Sequence, residues 1–154
     1  MNATDPHWTA YLSALLTPTV AVLGTFVAFQ QWRTARNKLK FDLFQRRLAA
    51  HEAVQSFLVS VMTSGKVSAE ALSKYAVGTS EVRWLYGPEI SAFLRENVWG
   101  KALDLQCLDA ELEGAPVGEE RSANVRRQSE IKTFFHSLSK VVDEKFEPFL
   151  RLYH

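Results

Sequence analysis

The sequence has a single cysteine, Cys107, and almost no net charge. One thiol excludes an internal disulfide and a metal cage built from thiolates. The 18 Lys or Arg residues against 17 Asp or Glu residues give a formal charge of +1 in 154 residues. So small a charge argues against a surface that binds nucleic acid over the whole protein. Leu105 and Leu108 flank Cys107, which predicts a small, buried side chain at that position.

Charged residues are missing between Asp5 and Arg33, where apolar and small residues dominate 8–29. At about 1.5 Å per residue, a helix over this stretch is about 33 Å long, close to the ~30 Å hydrocarbon core of a bilayer. Trp8 and Trp32 bracket it, as indole rings do at membrane interfaces. We therefore predict an N-terminal transmembrane segment over 1–32. A buried core helix and a cleaved signal peptide are the alternatives, and the uncharged length and the lack of a basic start disfavour them.

Four cations follow this stretch, at Arg33, Arg36, Lys38 and Lys40. Cations next to an apolar segment are retained on the cytoplasmic side, so we predict an N terminus that faces outward and a lipid bilayer as partner. The predicted membrane-interface residues are these four cations together with Trp8 and Trp32. A nucleic-acid arm is the rival interpretation, but no aromatic-interleaved RNA motif follows, and we expect no nucleic-acid partner.

Glycine and proline are absent from Gln30 to Ser64, which predicts a juxtamembrane stalk helix over 33–64. Its apolar stripe from Leu39 to Val61 has helical spacing and includes Arg47. Such a stripe is expected to pack within its own domain, with a self-paired coiled coil as the alternative.

Breaks at Gly65, at Gly87 with Pro88, and at 114–118 separate further helical patterns, including one over 88–114. Ser68, and Thr79 or Ser80, are predicted helix caps. No segment alternates with a period of two. The predicted fold is therefore all-α, with one N-terminal transmembrane helix that continues into an antiparallel bundle of about four helices in a cytoplasmic domain over 33–154.

A recognisable catalytic constellation is also missing. The four histidines include no pair at zinc-ligand spacing; His51 suggests an edge residue and His136 a core-edge residue. The acidic cluster from Asp104 to Glu113 lacks calcium-loop spacing, and the glycines form no phosphate cradle. We predict no catalytic, cofactor-binding or metal-binding residues and no cofactor. This disfavours an enzyme but leaves the question open.

Three stretches resemble a group of uncharacterised small bacterial membrane proteins: QWRTARNKLKFDLFQRRLAAHEAV at 31–54, WLYGPEISAFL at 84–94 and KFEPFLRLYH at 145–154. Proteins of this group share one amino-terminal span, the NKLK, DLF and RR elements, and a helical cytosolic domain. The resemblance implies a bacterial inner-membrane address and no activity. His51 and Phe149 stand where aromatics such as Tyr are more usual, so no site is transferred.

The leading functional hypothesis is a membrane-anchored, non-enzymatic scaffold or regulator. Its cytosolic helices would bind an unknown protein partner or a second copy of the chain. An oligomeric channel or membrane-perturbing effector is the alternative, with helices associating through Ser13, Thr17, Gly24 and Ala28. A membrane-tethered hydrolase is the third hypothesis, and it requires His51 or His136 to meet a carboxylate.

Overall fold

A computed structural model describes residues 8–114 and 116–151, with side chains from Val20 onward. Of the described residues, 91% are helical and none lies in a strand, which confirms the all-α prediction. The chain divides into two compact units, Met1–Asp42 and Leu43–His154, and α1 contributes to both. The described elements are α1 (Trp8–Ser64), α2 (Ala69–Gly78), α3 (Val82–Tyr86), α4 (Pro88–Leu94), a π-helical turn (Arg95–Gly100), α5 (Lys101–Gly114) and α6 (Glu119–Leu150).

The prediction that the all-α fold includes an N-terminal transmembrane helix is wrong. Among the residues that the structure describes, no helix is long and apolar enough to cross a membrane. The side chains of 8–19, which the prediction also used, lie outside the described residues.

Helix α1 ends where the sequence predicts. Gly65 follows its last residue, Ser64, with φ +69°, a left-handed conformation that glycine adopts without a Cβ penalty. The Gly65 N–H donates to the Val61 carbonyl at 2.8 Å. The glycine therefore closes the helix and turns the chain toward α2.

The caps around α2 and α3 are predicted only in part. The Ser68 hydroxyl accepts a hydrogen bond from the Ala71 N–H at 3.1 Å, which confirms Ser68 as the N-cap of α2. Thr79 and Ser80 are wrong as caps of α3, because their hydroxyls donate backward to the Tyr75 and Val77 carbonyls at 2.8 Å each. Glu81 precedes α3 without a side-chain cap.

Helix α4 begins at Pro88, after Gly87 at φ +95°, and this confirms the predicted break. The helix expected over 88–114 is present but is not α-helical throughout, because a π-helical turn lies between α4 and α5. In that turn the Asn97 side-chain amide donates to the Phe93 carbonyl four residues earlier, at 3.0 Å. In an uninterrupted α-helix the Phe93 carbonyl would accept from the backbone N–H of Asn97, whereas here it accepts from the Asn97 side chain.

The core lies in the second unit, where the long helices α1 and α6 supply most of its large side chains. The first residues of the predicted apolar stripe are not buried. Leu39 and Leu43 are 62% and 42% exposed, and Arg47 is half-buried. The buried part of the stripe therefore starts at Ala50. Six α-helices, rather than about four, form the described chain, because the region between Gly65 and Gly114 breaks into short elements. The buried residues of the two long helices are Ala50, Val54, Phe57, Leu58, Val61, Gln128, Ile131, Phe135, Leu138, Val142 and Phe146.

Candidate functional site

The first candidate site is the apolar–basic segment, defined here as residues 20–42 of α1. Every one of its side chains is exposed. Trp32, 58% exposed, lies 6.0 Å from the Phe29 ring, and the Arg36 guanidinium stands 5.5 Å above the Trp32 ring. The large apolar side chains of the segment are Val20, Val22, Leu23, Phe26, Val27, Phe29, Trp32, Leu39 and Phe41. Exposed apolar surface of this extent marks an interaction site.

The large apolar side chains share one side of the helix in the N-terminal part of the segment. Successive residues are turned by about 100°, so one side, about 180° wide, carries Val20, Val22, Leu23, Phe26, Val27 and Phe29, and the opposite side carries Ala21, Gly24, Thr25 and Ala28. Neither side carries a charge. The pattern of 20–29 therefore suits a helix that buries one wide apolar side.

Five of the predicted membrane-interface residues are now placed: Trp32, Arg33, Arg36, Lys38 and Lys40 are exposed side chains of α1. The sixth, Trp8, lies outside the described side chains. None of the ion pairs found among the described residues involves these four cations. Their charges are thus available to an anionic partner.

A polar cluster between α1 and α6 brings His51 to a carboxylate. His51 Nε2 lies 2.8 Å from Asp143 Oδ1, and the Gln55 amide donates to the same oxygen at 2.7 Å. The Ser139 hydroxyl donates to Gln55 Oε1 at 2.8 Å, so this hydroxyl bonds the amide and not the imidazole. A serine nucleophile needs its hydroxyl bonded to the base. The cluster therefore joins two helices and lacks the arrangement of a serine hydrolase.

Two further predictions about single residues are wrong. His136 is exposed and not a core-edge residue, since the core face of α6 presents Phe135 and Leu138 on either side of it. Cys107 is exposed and not buried; it lies in a groove of about 350 Å³ beside Lys101 and Arg127. Leu105 of the same helix is buried, so the core face of α5 excludes Cys107.

A second candidate site is a cavity that the sequence did not indicate, referred to below as the α2–π cavity. It has a volume of about 270 Å³ and is lined by Tyr75 and Thr79 of α2, Val82 of α3, Leu94 of α4, and Arg95 and Trp99 of the π-helical turn. The Tyr75 ring stacks on Trp99 at 6.2 Å, and its hydroxyl donates to the Leu94 carbonyl at 3.4 Å. Burial raises the pKa of the Tyr75 phenol, so the wall stays neutral.

The sequence places Arg95 and Trp99 four residues apart, which predicts that they share a helix face. Nothing in the local sequence indicates that this face lies against Tyr75 and Thr79 of α2. Among the described residues, no group of three or more His, Cys, Asp or Glu side chains is arranged to hold a metal ion.

Comparison of the chain with models of protein families, with curated proteins and with solved structures finds no match. The resemblance to small bacterial membrane proteins stays a prediction.

Proposed function

We propose that this protein is a non-enzymatic scaffold or regulator that binds the cytoplasmic surface of a bacterial membrane and presents a helical protein-binding unit there. The observation that supports it most is the apolar–basic segment, whose side chains are all exposed. The bacterial inner-membrane address follows from the resemblance alone. The outward-facing N terminus depended on the transmembrane helix and is not part of the proposal.

The order of residues in the segment suits a lipid partner. Apolar residues from Val20 to Phe29 would enter the acyl region, Trp32 would lie at the interface, and the cations from Arg33 to Lys40 would contact headgroups. Each cation near an anionic surface contributes about 1 kcal/mol, so four contribute up to about 4 kcal/mol. That is roughly a thousandfold in affinity, since about 1.4 kcal/mol corresponds to a factor of ten.

A second copy of the chain fits the same segment less well. A two-stranded coiled coil buries a narrow seam with a 3.5-residue period, whereas the large apolar side chains of 20–29 cover about half of the helix circumference. Parallel copies would also place the four cations of one chain next to those of the other. The two sets would repel each other, most strongly at low salt. The channel hypothesis involves Ser13 and Thr17, which lie outside the described side chains, and it stays a hypothesis.

Trp84 of α3 is the feature that suits the protein-binding part of the proposal. It is 82% exposed, and the Arg83 guanidinium lies 5.8 Å from its ring. Tryptophan and arginine are enriched among the residues that contribute most to binding energy at protein interfaces.

The lipid part is tested by flotation of the full chain with vesicles. We expect binding to vesicles that contain anionic phosphatidylglycerol, weaker binding to neutral phosphatidylcholine vesicles, and a loss of binding as salt is raised. Replacing Arg33, Arg36, Lys38 and Lys40 with Gln should lower the affinity for anionic vesicles by about a hundredfold or more. All four side chains are exposed, so the substitutions leave the core intact.

The matched control replaces four exposed cations of the second unit with Gln, which lowers the total charge by the same amount: Lys74, Arg83, Arg126 and Lys140. This variant should float as the wild type does. Equal losses in both variants would show that total charge, and not the apolar–basic segment, controls binding. A wild-type chain that stays unbound, or that only self-associates, would refute the lipid-binding proposal.

A further inference from the structure

The π-helical turn gives the α2–π cavity a charged edge. Arg95 and Trp99 both line the cavity, and Tyr75 faces them from α2. Insertion of a π-turn into an α-helix re-aims the side chains around it, and such turns are frequent at functional sites. Arg95 and Trp99 are four residues apart, so they lie on one face of the turn and place one guanidinium and one indole at the same opening.

The rest of the lining is mostly apolar. Tyr75, Val82 and Leu94 are each at most 3% exposed as whole residues, so they form a fixed wall. Thr79 is satisfied by its own helix, because its hydroxyl donates to the Tyr75 carbonyl at 2.8 Å. A ligand would therefore contact mainly the half-buried Trp99 ring, with the three buried side chains as the floor of the cavity.

Charge at the cavity has one sign only. Arg95 is exposed, no Asp or Glu lines the cavity, and none of the ion pairs found among the described residues includes Arg95. A guanidinium presents two parallel N–H donors that match the two oxygens of a carboxylate. The lining has three hydroxyls: those of Tyr75 and Thr79 donate to backbone carbonyls, and that of Ser91 on α4 is a neutral donor.

We propose that the α2–π cavity binds a small free carboxylate with an aromatic or branched aliphatic body. The carboxylate would pair with Arg95, and the body would lie against Tyr75 and Trp99. The volume of about 270 Å³ equals that of about nine water molecules at about 30 Å³ each, which suits a body of one ring and a short chain. This site lies in the second unit and does not depend on the lipid-binding proposal.

The test compares 3-phenylpropionate with its uncharged, equally sized amide, 3-phenylpropionamide. Binding to the full chain is followed by NMR at the Trp99 indole N–H, which a Trp99→Phe variant assigns. We expect the acid to bind at least about tenfold more tightly than the amide, because only the acid pairs with the guanidinium. The Trp99 signal should move on addition of the acid.

Arg95→Gln should lower the affinity for the acid by about tenfold and leave the affinity for the amide unchanged, since the apolar wall is retained. Arg83→Gln is the matched control, because Arg83 is also an exposed arginine but lies outside the cavity lining; it should bind the acid as the wild type does. Equal affinities for acid and amide, equal effects of the two substitutions, an unmoved Trp99 signal, or no binding of the acid would each overturn the proposal.

Discussion

Arg47 offers the sharpest test of how the second unit is held together. Its Nε donates to the Leu85 carbonyl and its Nη1 to the Phe149 carbonyl, each at 3.2 Å, and the guanidinium lies 5.8 Å from the Phe149 ring. Leu85 and Phe149 belong to the last turns of α3 and α6. Carbonyls in a last turn have no partner within their own helix. One side chain of α1 therefore satisfies the ends of two other helices.

Arg47→Met keeps an unbranched side chain of similar length and removes both hydrogen bonds. A hydrogen bond from a charged donor contributes about 1.5–3 kcal/mol when buried. Arg47 is half-buried, so water can replace part of each bond, and we take values at or below the lower limit. We expect the free energy of unfolding to fall by about 2–3 kcal/mol.

The neighbouring Arg46 supplies a control with the same chemistry and a different environment. It pairs with Glu81 at 3.1 Å, but the two side chains are 63% and 55% exposed. Arg46→Met should cost less than about 0.5 kcal/mol, as exposed ion pairs do.

Urea unfolding of the full chains, followed by tryptophan fluorescence and by circular dichroism, measures both variants. The slope of free energy against urea should be the same in both, which shows that only stability has changed. Losses that agree within about 0.5 kcal/mol, at equal slopes, would refute the idea that Arg47 satisfies the two helix ends.

Two other predictions concern the tyrosines and a close helix contact. Burial raises the pKa of both Tyr75 and Tyr86 above the ordinary value of about 10, so the folded state favours the neutral phenols. Their contribution to the free energy of unfolding is therefore complete below pH ~10, where the phenols of the unfolded chain are also neutral. It is lost as the pH rises above ~10. Thermal unfolding from pH ~8 to ~11 should show this fall, smaller in Tyr86→Phe, and a flat profile in the wild type would contradict it. Gly78→Ala should destabilise the protein by about 1–3 kcal/mol, because the new Cβ would overlap the Ala53 Cβ of α1. Gly24→Ala, with open space around it, should cost nothing in the same urea assay, and equal effects of the two would count against the close contact.

Several parts of this molecule follow from local sequence. Helix ends are marked by the backbone conformation of Gly65 and of Gly87 before Pro88. The start of α2 is marked by the hydrogen bond of Ser68 to a residue three positions later, and the structure confirms each of these ends. The charge boundary at Arg33 is equally local. The apolar run before it is not sufficient to specify a transmembrane helix, because composition indicates that a segment is apolar without stating what surrounds it.

The tertiary structure decided which of these residues meet. Arg47 and Phe149 are separated by 102 positions, and His51 and Asp143 by 92, yet each pair is in hydrogen-bond contact. Helical periodicity predicted that Arg47 lies in an apolar stripe but not which carbonyls it would satisfy. The exposure of Cys107 and the cavity beside Arg95 likewise depend on how helices pack. The physical reason is that hydrogen bonds within a helix join residues four apart, whereas side-chain contacts between helices depend on packing across the whole chain.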